Sequence, residues 1–211
     1  MKRLVLIGGG GFSKEVAEVA ERLGYEVVGC VDDAPTVRLN YPHWGEIRVL
    51  NARRSDFDEV ILAIGAVDRK SLEVRARIAS VLEKQGYVFA RLISPSATIA
   101  AGVKVGDGVF VAHGVVVSVD AELGKHVVLN SNSVVGHDSI IGELSVIAPF
   151  AFVGGDVRLG QQVLVGPGAQ IMQGLTVGYQ TIVSVASVVF RSLPALSTTI
   201  PLRSRVLLPK S

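Results

Sequence analysis

One stretch limits what this chain can fold into more than any other. From Ile99 to Pro194 it repeats every six residues: IAAGVK, VGDGVF, VAHGVV, VSVDAE, LGKHVV, LNSNSV, VGHDSI, IGELSV, IAPFAF, VGGDVR, LGQQVL, VGPGAQ, IMQGLT, VGYQTI, VSVASV, VFRSLP. Those 96 residues (194 − 99 + 1) make sixteen hexads (96/6) without an insertion. Every first position is Ile, Val or Leu, and every fifth is Val, Leu, Ala, Ser or Thr. Two side chains in six therefore point inward. A fixed short period of this kind is the sign of a β-helix, in which each unit buries little alone and stacking builds a continuous core. Gly holds the second position in eight of the sixteen hexads, which suits a corner that larger residues would crowd. A β-sandwich would instead show uneven strand lengths and hairpin turn signals.

The first ninety or so residues read differently. RLVLI (Arg3 to Ile7) is a short apolar strand running straight into four glycines. KEVAEVAERLG follows with Val16, Val19, Ala20 and Leu23 at helical spacing and Gly24 as a stop. YEVVGCV is a second strand with Asp32 and Asp33 at its end. This is a βαβ unit whose Gly-rich turn opens a helix, an arrangement that cradles phosphates on free backbone N–H groups. The match to GxGxxG is incomplete: Gly8 and Gly10 stand in place, but Ser13 occupies the third glycine. The same turn also serves as a plain strand-to-helix connection. Ala34 to Ala52 reads as a loop, Asp58 to Gly65 as a buried third strand, Val67 to Gln85 as a helix and Tyr87 to Ile93 as a last strand. Ser94-Pro95-Ser96 marks the expected boundary, dividing a Rossmann-like α/β domain (1–94) from a β-helix domain with a C-terminal tail (95–211).

Composition excludes several classes. Hydrophobic residues make up 49% and charged residues 19%, a folding composition. A net charge of +2 gives no reason to expect nucleic acid or an anionic membrane surface. The lone cysteine, Cys30, allows neither an internal disulfide nor a cysteine metal cage. The apolar run before Gly8 is too short for a signal-peptide core, and no stretch approaches the ~20 apolar residues of a membrane span. A soluble cytoplasmic protein is expected.

Period and residue types resemble the hexapeptide-repeat acyltransferases, whose fold is a left-handed parallel β-helix with three hexads per coil, so that residues 18 apart stack. Adding LIGGGGFSKEV, VVGCVDD, ILAIGAVDRK, LISPSATI and NSNSVVGHDSIIGE, the chain resembles the sugar acetyltransferases of the NeuD/PglD type. That resemblance implies an acetyl-CoA-dependent acetyltransferase acting on the amine of a nucleotide-linked amino sugar. It also implies a homotrimer whose active site lies between neighbouring β-helices, with acetyl-CoA as co-substrate and no metal. By position, Gly10, Gly11, Phe12 and Ser13 would line the phosphates and sugar. Asp32 and Asp33 would meet the nucleoside, with Gly65 and Arg69 close by. Phe12 stands where some relatives carry a His.

On the hexad alone each outward histidine reads as a solvated corner residue; the resemblance singles out one. His113, His126 and His137 are separated by 13, 11 and 24 residues, none a multiple of 18, which argues against a three-His zinc site. His137 is third in its hexad, so it faces outward, and Asp138 follows it. The resemblance makes His137 the general base on the acceptor, and imidazole with an unperturbed pKa of ~6.5 suits that task. The neighbouring carboxylate of Asp138 would fix the tautomer. Gly155 lies one coil above (155 − 137 = 18) and would offer its N–H to the thioester carbonyl. Val146 and Gly166 would border acetyl-CoA, although Val146 replaces a histidine common in relatives. Near the C-terminus only Pro201 persists from the family's CoA-packing turn, and Arg203, Arg205 and Lys210 are basic candidates for its phosphates. Val134, Ile140, Val146 and Phe152 are outward sixth positions, read as one apolar interface set. Two alternatives stay open: an O-acetyltransferase of a sialic-acid-like sugar, and a non-catalytic nucleotide-sugar-binding or scaffold trimer.

Overall fold

The computed structural model describes residues 1–201. The chain opens with β1 (Arg3–Ile7), α1 (Phe12–Arg22), β2 (Glu26–Val31), β3 (Glu59–Leu62) and α2 (Arg69–Lys84). The three strands form a parallel sheet in the order β2-β1-β3. Alternation in β1 decides the layering. Leu4 and Leu6 pack towards α1, while Val5 and Ile7 join a second cluster with Ala79 and Leu82 of α2. A strand buried on both faces needs an unbroken apolar run, which RLVLI supplies. Gly24, at φ +79°, ends α1 in the left-handed region that glycine tolerates. At the start of α2 Asp68 accepts from the Ser71 N–H at 2.8 Å, and Ser71 Oγ accepts from the Asp68 N–H at 3.1 Å, a closed capping box. The expected loop between β2 and β3 holds short 3₁₀ turns (Ile47–Asn51 and Arg54–Asp56) and one bridge, Cys30 to His43.

From Leu92 on, two-residue parallel strands wind into a solenoid with three faces. The first face stacks the pairs beginning at Leu92, Phe110, Val128, Val146, Leu164 and Ile182. The second stacks those beginning at Thr98, Val116, Val134, Phe152, Gln170 and Val188. The third stacks Lys104, Glu122, Ile140, Arg158 and Thr176 with their successors. Each ladder pairs residues 18 apart, such as Val128 with Val146. The segment Tyr87 to Ile93, expected as a last strand of the α/β sheet, is divided. Phe89 makes a single bridge to Val60, whereas Leu92–Ile93 already pairs with Phe110–Val111 in the solenoid.

First and fifth hexad positions form one buried column, from Val109 through Val135, Ile147 and Val165 to Val189. Serines at the fifth position are not misfits. Ser139 Oγ donates to the Gly154 carbonyl at 2.8 Å and accepts from the Val157 N–H at 3.1 Å, bridging adjacent coils. Second-position glycines answer to space: a Cβ on Gly136 would lie 2.4 Å from the Gly155 nitrogen in the next coil. The backbone demand falls on the fourth position. Residues 102 through 186, taken every sixth, all have positive φ, and Gly, Asp, Asn and His supply ten of these fifteen ((186 − 102)/6 + 1) positions.

The α/β unit lies on the first face of the solenoid. Phe110, Ala112, Val128, Val146 and Leu164 share a cluster with Leu4, Leu6 and the inner side of α1. The ring of Phe12 stands edge-on to Phe110 with centroids 5.4 Å apart. Polar ties edge this junction. His113 Nε2 meets Glu18 of α1 at 2.7 Å, and His126 Nε2 meets Glu83 of α2 at 3.1 Å. Arg75, fully buried, donates to the carbonyls of Ile64 and, at 2.9 Å, His126. Burial alone pushes its pKa down to about 10. The set Val134, Ile140, Val146 and Phe152 is not one surface. Six residues is a third of a turn, so Ile140 lies on the third face and Val146 on the first, where the α/β unit leaves it only 3% exposed. Val134 and Phe152 do share the second face.

Candidate active site

The loop after Val134–Val135 turns from the second face to the third and carries His137 and Asp138. Asp138 occupies a fourth position at φ +58°, a conformation Asp tolerates better than most residues. That backbone turns its carboxylate back on its neighbour. His137 Nδ1 lies 2.7 Å from Asp138 Oδ2, so the Nδ1–H donates there, and in the neutral ring that tautomer puts the lone pair on Nε2. The two side chains are 55% and 58% exposed, open to a reactant. One coil on, Gly155 is what leaves room for the ring: a Cβ there would lie 2.5 Å from His137 Nε2 and 2.7 Å from Cε1. Arg158 braces the corner, donating to the Asp138 carbonyl at 3.2 Å and to Asp156 Oδ1 at 3.0 Å.

A cavity of about 510 Å³ lies at the junction of the α/β unit and the solenoid. Phe12 and Gly65 border it from one side, and Val146 and Gly166 from the other. Four of the expected site residues therefore meet in one place. Its remaining walls come from Glu15, Ile64 and Val67 of the α/β unit, from the first face, and from the corner leading to the second, including Asn130, Pro149 and Pro167. His137, Asp138 and Gly155 do not line it. They occupy the corner at the opposite edge of the second face.

A second cavity, about 390 Å³, opens over the carboxyl ends of β1 and β2 and takes in Gly8, Asp32, Asp33 and Arg77. Asp32 is engaged within its own loop, accepting from the Gly9 N–H at 2.7 Å and the Ala34 N–H at 2.8 Å. The start of α1 has no side-chain cap, and a Cβ on Gly10 or Gly11 would meet nothing within 4 Å. Open space in front of uncapped N–H groups is what an anion site requires. Ser13 is buried and its hydroxyl donates to the Gly10 carbonyl, shaping that turn. Arg69 bridges the two parts of the chain, reaching the Gln180 carbonyl at 3.3 Å and the Leu196 carbonyl at 3.1 Å.

His113 and His126, weighed as metal ligands from sequence, each face a glutamate of the α/β unit. Burial is the main influence on His126 and lowers its pKa, with Glu83 opposing. The basic candidates Arg203, Arg205 and Lys210 lie outside the described residues. Glu15 and Asn130, both on the junction cavity, escaped the sequence reading. The signals were faint: Asn130 holds a second position where Gly is commonest, and Glu15 sits three residues after Phe12 on the same side of α1.

Comparison with known proteins gives one picture. Residues 3–82 match the PglD N-terminal domain model, and residues 120–155 match the bacterial transferase hexapeptide model. The chain is similar to perosamine N-acetyltransferase of Caulobacter crescentus, solved as a histidine-to-asparagine variant with CoA and GDP-perosamine. Identity is 30%, coverage 95% of this chain and 94% of that one, and the TM-score 0.89. PerB from the same organism, also with CoA and GDP-perosamine, gives 32%, 94%, 93% and 0.87. The acetyltransferase domain of PglB from Neisseria gonorrhoeae FA1090, in complex with acetyl coenzyme A, gives 28%, 93%, 95% and 0.86. A sequence comparison with curated proteins finds no match. The fold is an α/β Rossmann-like unit followed by a left-handed parallel β-helix of about five turns.

Proposed function

This chain belongs to the hexapeptide-repeat sugar acetyltransferases of the NeuD/PglD type, and from that membership we propose that it moves acetyl from acetyl-CoA to the amine of a nucleotide-linked amino sugar. The observation that carries the reading is the half-exposed His137–Asp138 pair held at 2.7 Å against a glycine that leaves room for the ring. Nε2 accepts a proton from the amine as its nitrogen attacks the thioester carbonyl. The C–N bond forms and the oxyanion rests on the Gly155 N–H. Collapse breaks the C–S bond, and the CoA sulfur leaves with the proton from His137. Asp138 holds the imidazole in the useful tautomer and stabilises its charged form.

The nucleotide sugar sits on the α/β unit, its phosphates at Gly10 and Gly11 and its nucleoside towards Asp33. The CoA arm passes Val146 and Gly166 in the junction cavity. Catalysis needs a second copy of the chain, because His137 and the junction cavity lie at opposite edges of the second face. That face carries a stacked apolar column of Val116, Val134 and Phe152, with Phe152 40% exposed, and beyond Gln170 the column ends on Val188. A copy packed there brings one chain's His137 corner to its neighbour's cavity, and three copies close the ring into a homotrimer. Among the described residues no helix is long and apolar enough to cross a membrane.

Thermal unfolding with acetyl-CoA separates this reading from a scaffold that binds only nucleotide sugars. Ligand at 100 times its Kd raises stability by ~2.7 kcal/mol. A shift of that size supports the transferase; an unchanged midpoint at saturating acetyl-CoA supports the scaffold.

A further inference from the structure

The junction cavity holds a single charge. Among the described residues that line it, Glu15 is the only ionisable side chain, and the walls around it are chiefly apolar, from Phe12 and Ile64 to Val146 and Leu164. The other carboxylates of α1 are engaged. Glu18 pairs with Arg22 and His113, and Glu21 accepts from the Tyr41 hydroxyl at 2.6 Å. Glu15 makes no ion pair or side-chain hydrogen bond among the described residues. Lys14, the adjacent cation, borders a different surface hollow with Glu18 and Glu21. Glu15 is an exposed residue at the edge of these apolar walls, and water satisfies its carboxylate while the space is unfilled. Once a ligand displaces that water, the charge needs a cationic partner or incurs a desolvation penalty.

We infer that Glu15 is a specificity-determining residue that accepts a hydrogen bond from the ammonium group of the acceptor sugar, so that the cavity selects an amino sugar over its hydroxyl counterpart. This rests on the acetyltransferase reading above. Three observations support it together. Glu15 lies one helical turn beyond Phe12, so both side chains project from one side of α1 towards the cavity. The same cavity reaches Asn130, Val146 and Gly166 of the β-helix, so a sugar extending from the nucleotide site passes Glu15 on its way to the acyl donor. Finally, an ammonium and a hydroxyl can both donate a charge-assisted hydrogen bond to a carboxylate, but only the ammonium brings the opposite charge that offsets removal of the carboxylate from water. Glu15 makes this choice before any proton is removed. Its role is binding and selection, and the base that removes the proton lies elsewhere.

The test uses the full chain and nucleotide sugars in pairs, each amino sugar (UDP-, dTDP- or GDP-linked) beside the same compound with hydroxyl in place of the amine. Steady-state thiol release from acetyl-CoA gives KM and kcat, and calorimetry gives Kd for both members of the pair. The Glu15→Gln protein is expected to lose at least about tenfold in KM and Kd for the amino sugar. Its kcat should hold within about threefold, and its Kd for the hydroxyl compound within about twofold. Glu15→Asp, which keeps the charge on a shorter arm, should recover part of the loss. Equal preference for amine and hydroxyl in the unaltered protein would overturn the inference while leaving acyl transfer intact. So would a Glu15→Gln protein that binds the amino sugar as tightly as the unaltered one. No turnover by the unaltered protein on any amino sugar would overturn the transferase reading itself, and this inference with it.

Discussion

Adding one methyl group at Gly155 should disable the enzyme without unfolding it. The Cβ of Gly155→Ala would lie 2.5 Å from His137 Nε2, 2.7 Å from Cε1 and 2.9 Å from Cδ2. Carbon contacts are comfortable at ~3.5–4.0 Å, so the imidazole must retreat by about 1 Å. The atoms that must move belong to a half-exposed side chain, which swings at little cost. Gly155 has no positive φ, so alanine fits its backbone and the N–H stays where it was. A displacement of ~1 Å between reacting groups is worth ~10²-fold in rate. Gly155→Ala should therefore lower kcat about a hundredfold while its melting temperature stays within a few degrees. Gly136→Ala is the control with the opposite signature. There the new Cβ meets the backbone of Gly154 and Gly155 at 2.4–2.5 Å, which cannot swing away. Overpacking of that kind costs ~1–3 kcal/mol. Thiol-release kinetics and thermal melts on both proteins decide the matter. Full kcat in Gly155→Ala would refute the reasoning, because a base in that position could not keep its place.

Two further outcomes follow from the same geometry. Phe152→Asp places a charge in the apolar column of the second face and should prevent the proposed trimer; sedimentation should report monomers, with activity lost although His137 is intact. Folded His126 resists protonation because it is buried, whereas the unfolded residue takes up a proton near its ordinary value of 6.5. Stability should therefore fall as pH drops below ~6.5, and His126→Gln should flatten that slope in melts taken from pH 7.5 to 5.

The β-helix was legible because its period is a direct image of its geometry. Residues at first and fifth positions are the core. The fourth position was harder to see. Asp120, Asn132, Asp138 and Asp156 look like scattered polar residues until their positive φ shows a shared backbone demand. Asp138 thus answers two needs, the imidazole, which the sequence reading expected, and the turn, which it did not show. What no period can display is contact between unlike parts. Val146 reads as an outward residue and is one, but outward on the first face means beneath the α/β unit. Phe12 reads as a residue lining the phosphates and sugar, and nothing in the sequence signals that it packs on Phe110, 98 positions away (110 − 12). His113 and His126 found their glutamates across the same junction. Leu92–Ile93 carries the same apolar pattern as the preceding strand candidates, so only its partner reveals which sheet it joins.

The most direct test of the central claim is thiol release from acetyl-CoA with UDP-, dTDP- and GDP-linked amino sugars, run on the unaltered protein and on His137→Ala. The account predicts release with at least one sugar and a loss of ~10²–10⁴-fold in the variant, the range that general-base catalysis supplies. Equal rates in the two proteins would remove His137 from the mechanism and contradict the account.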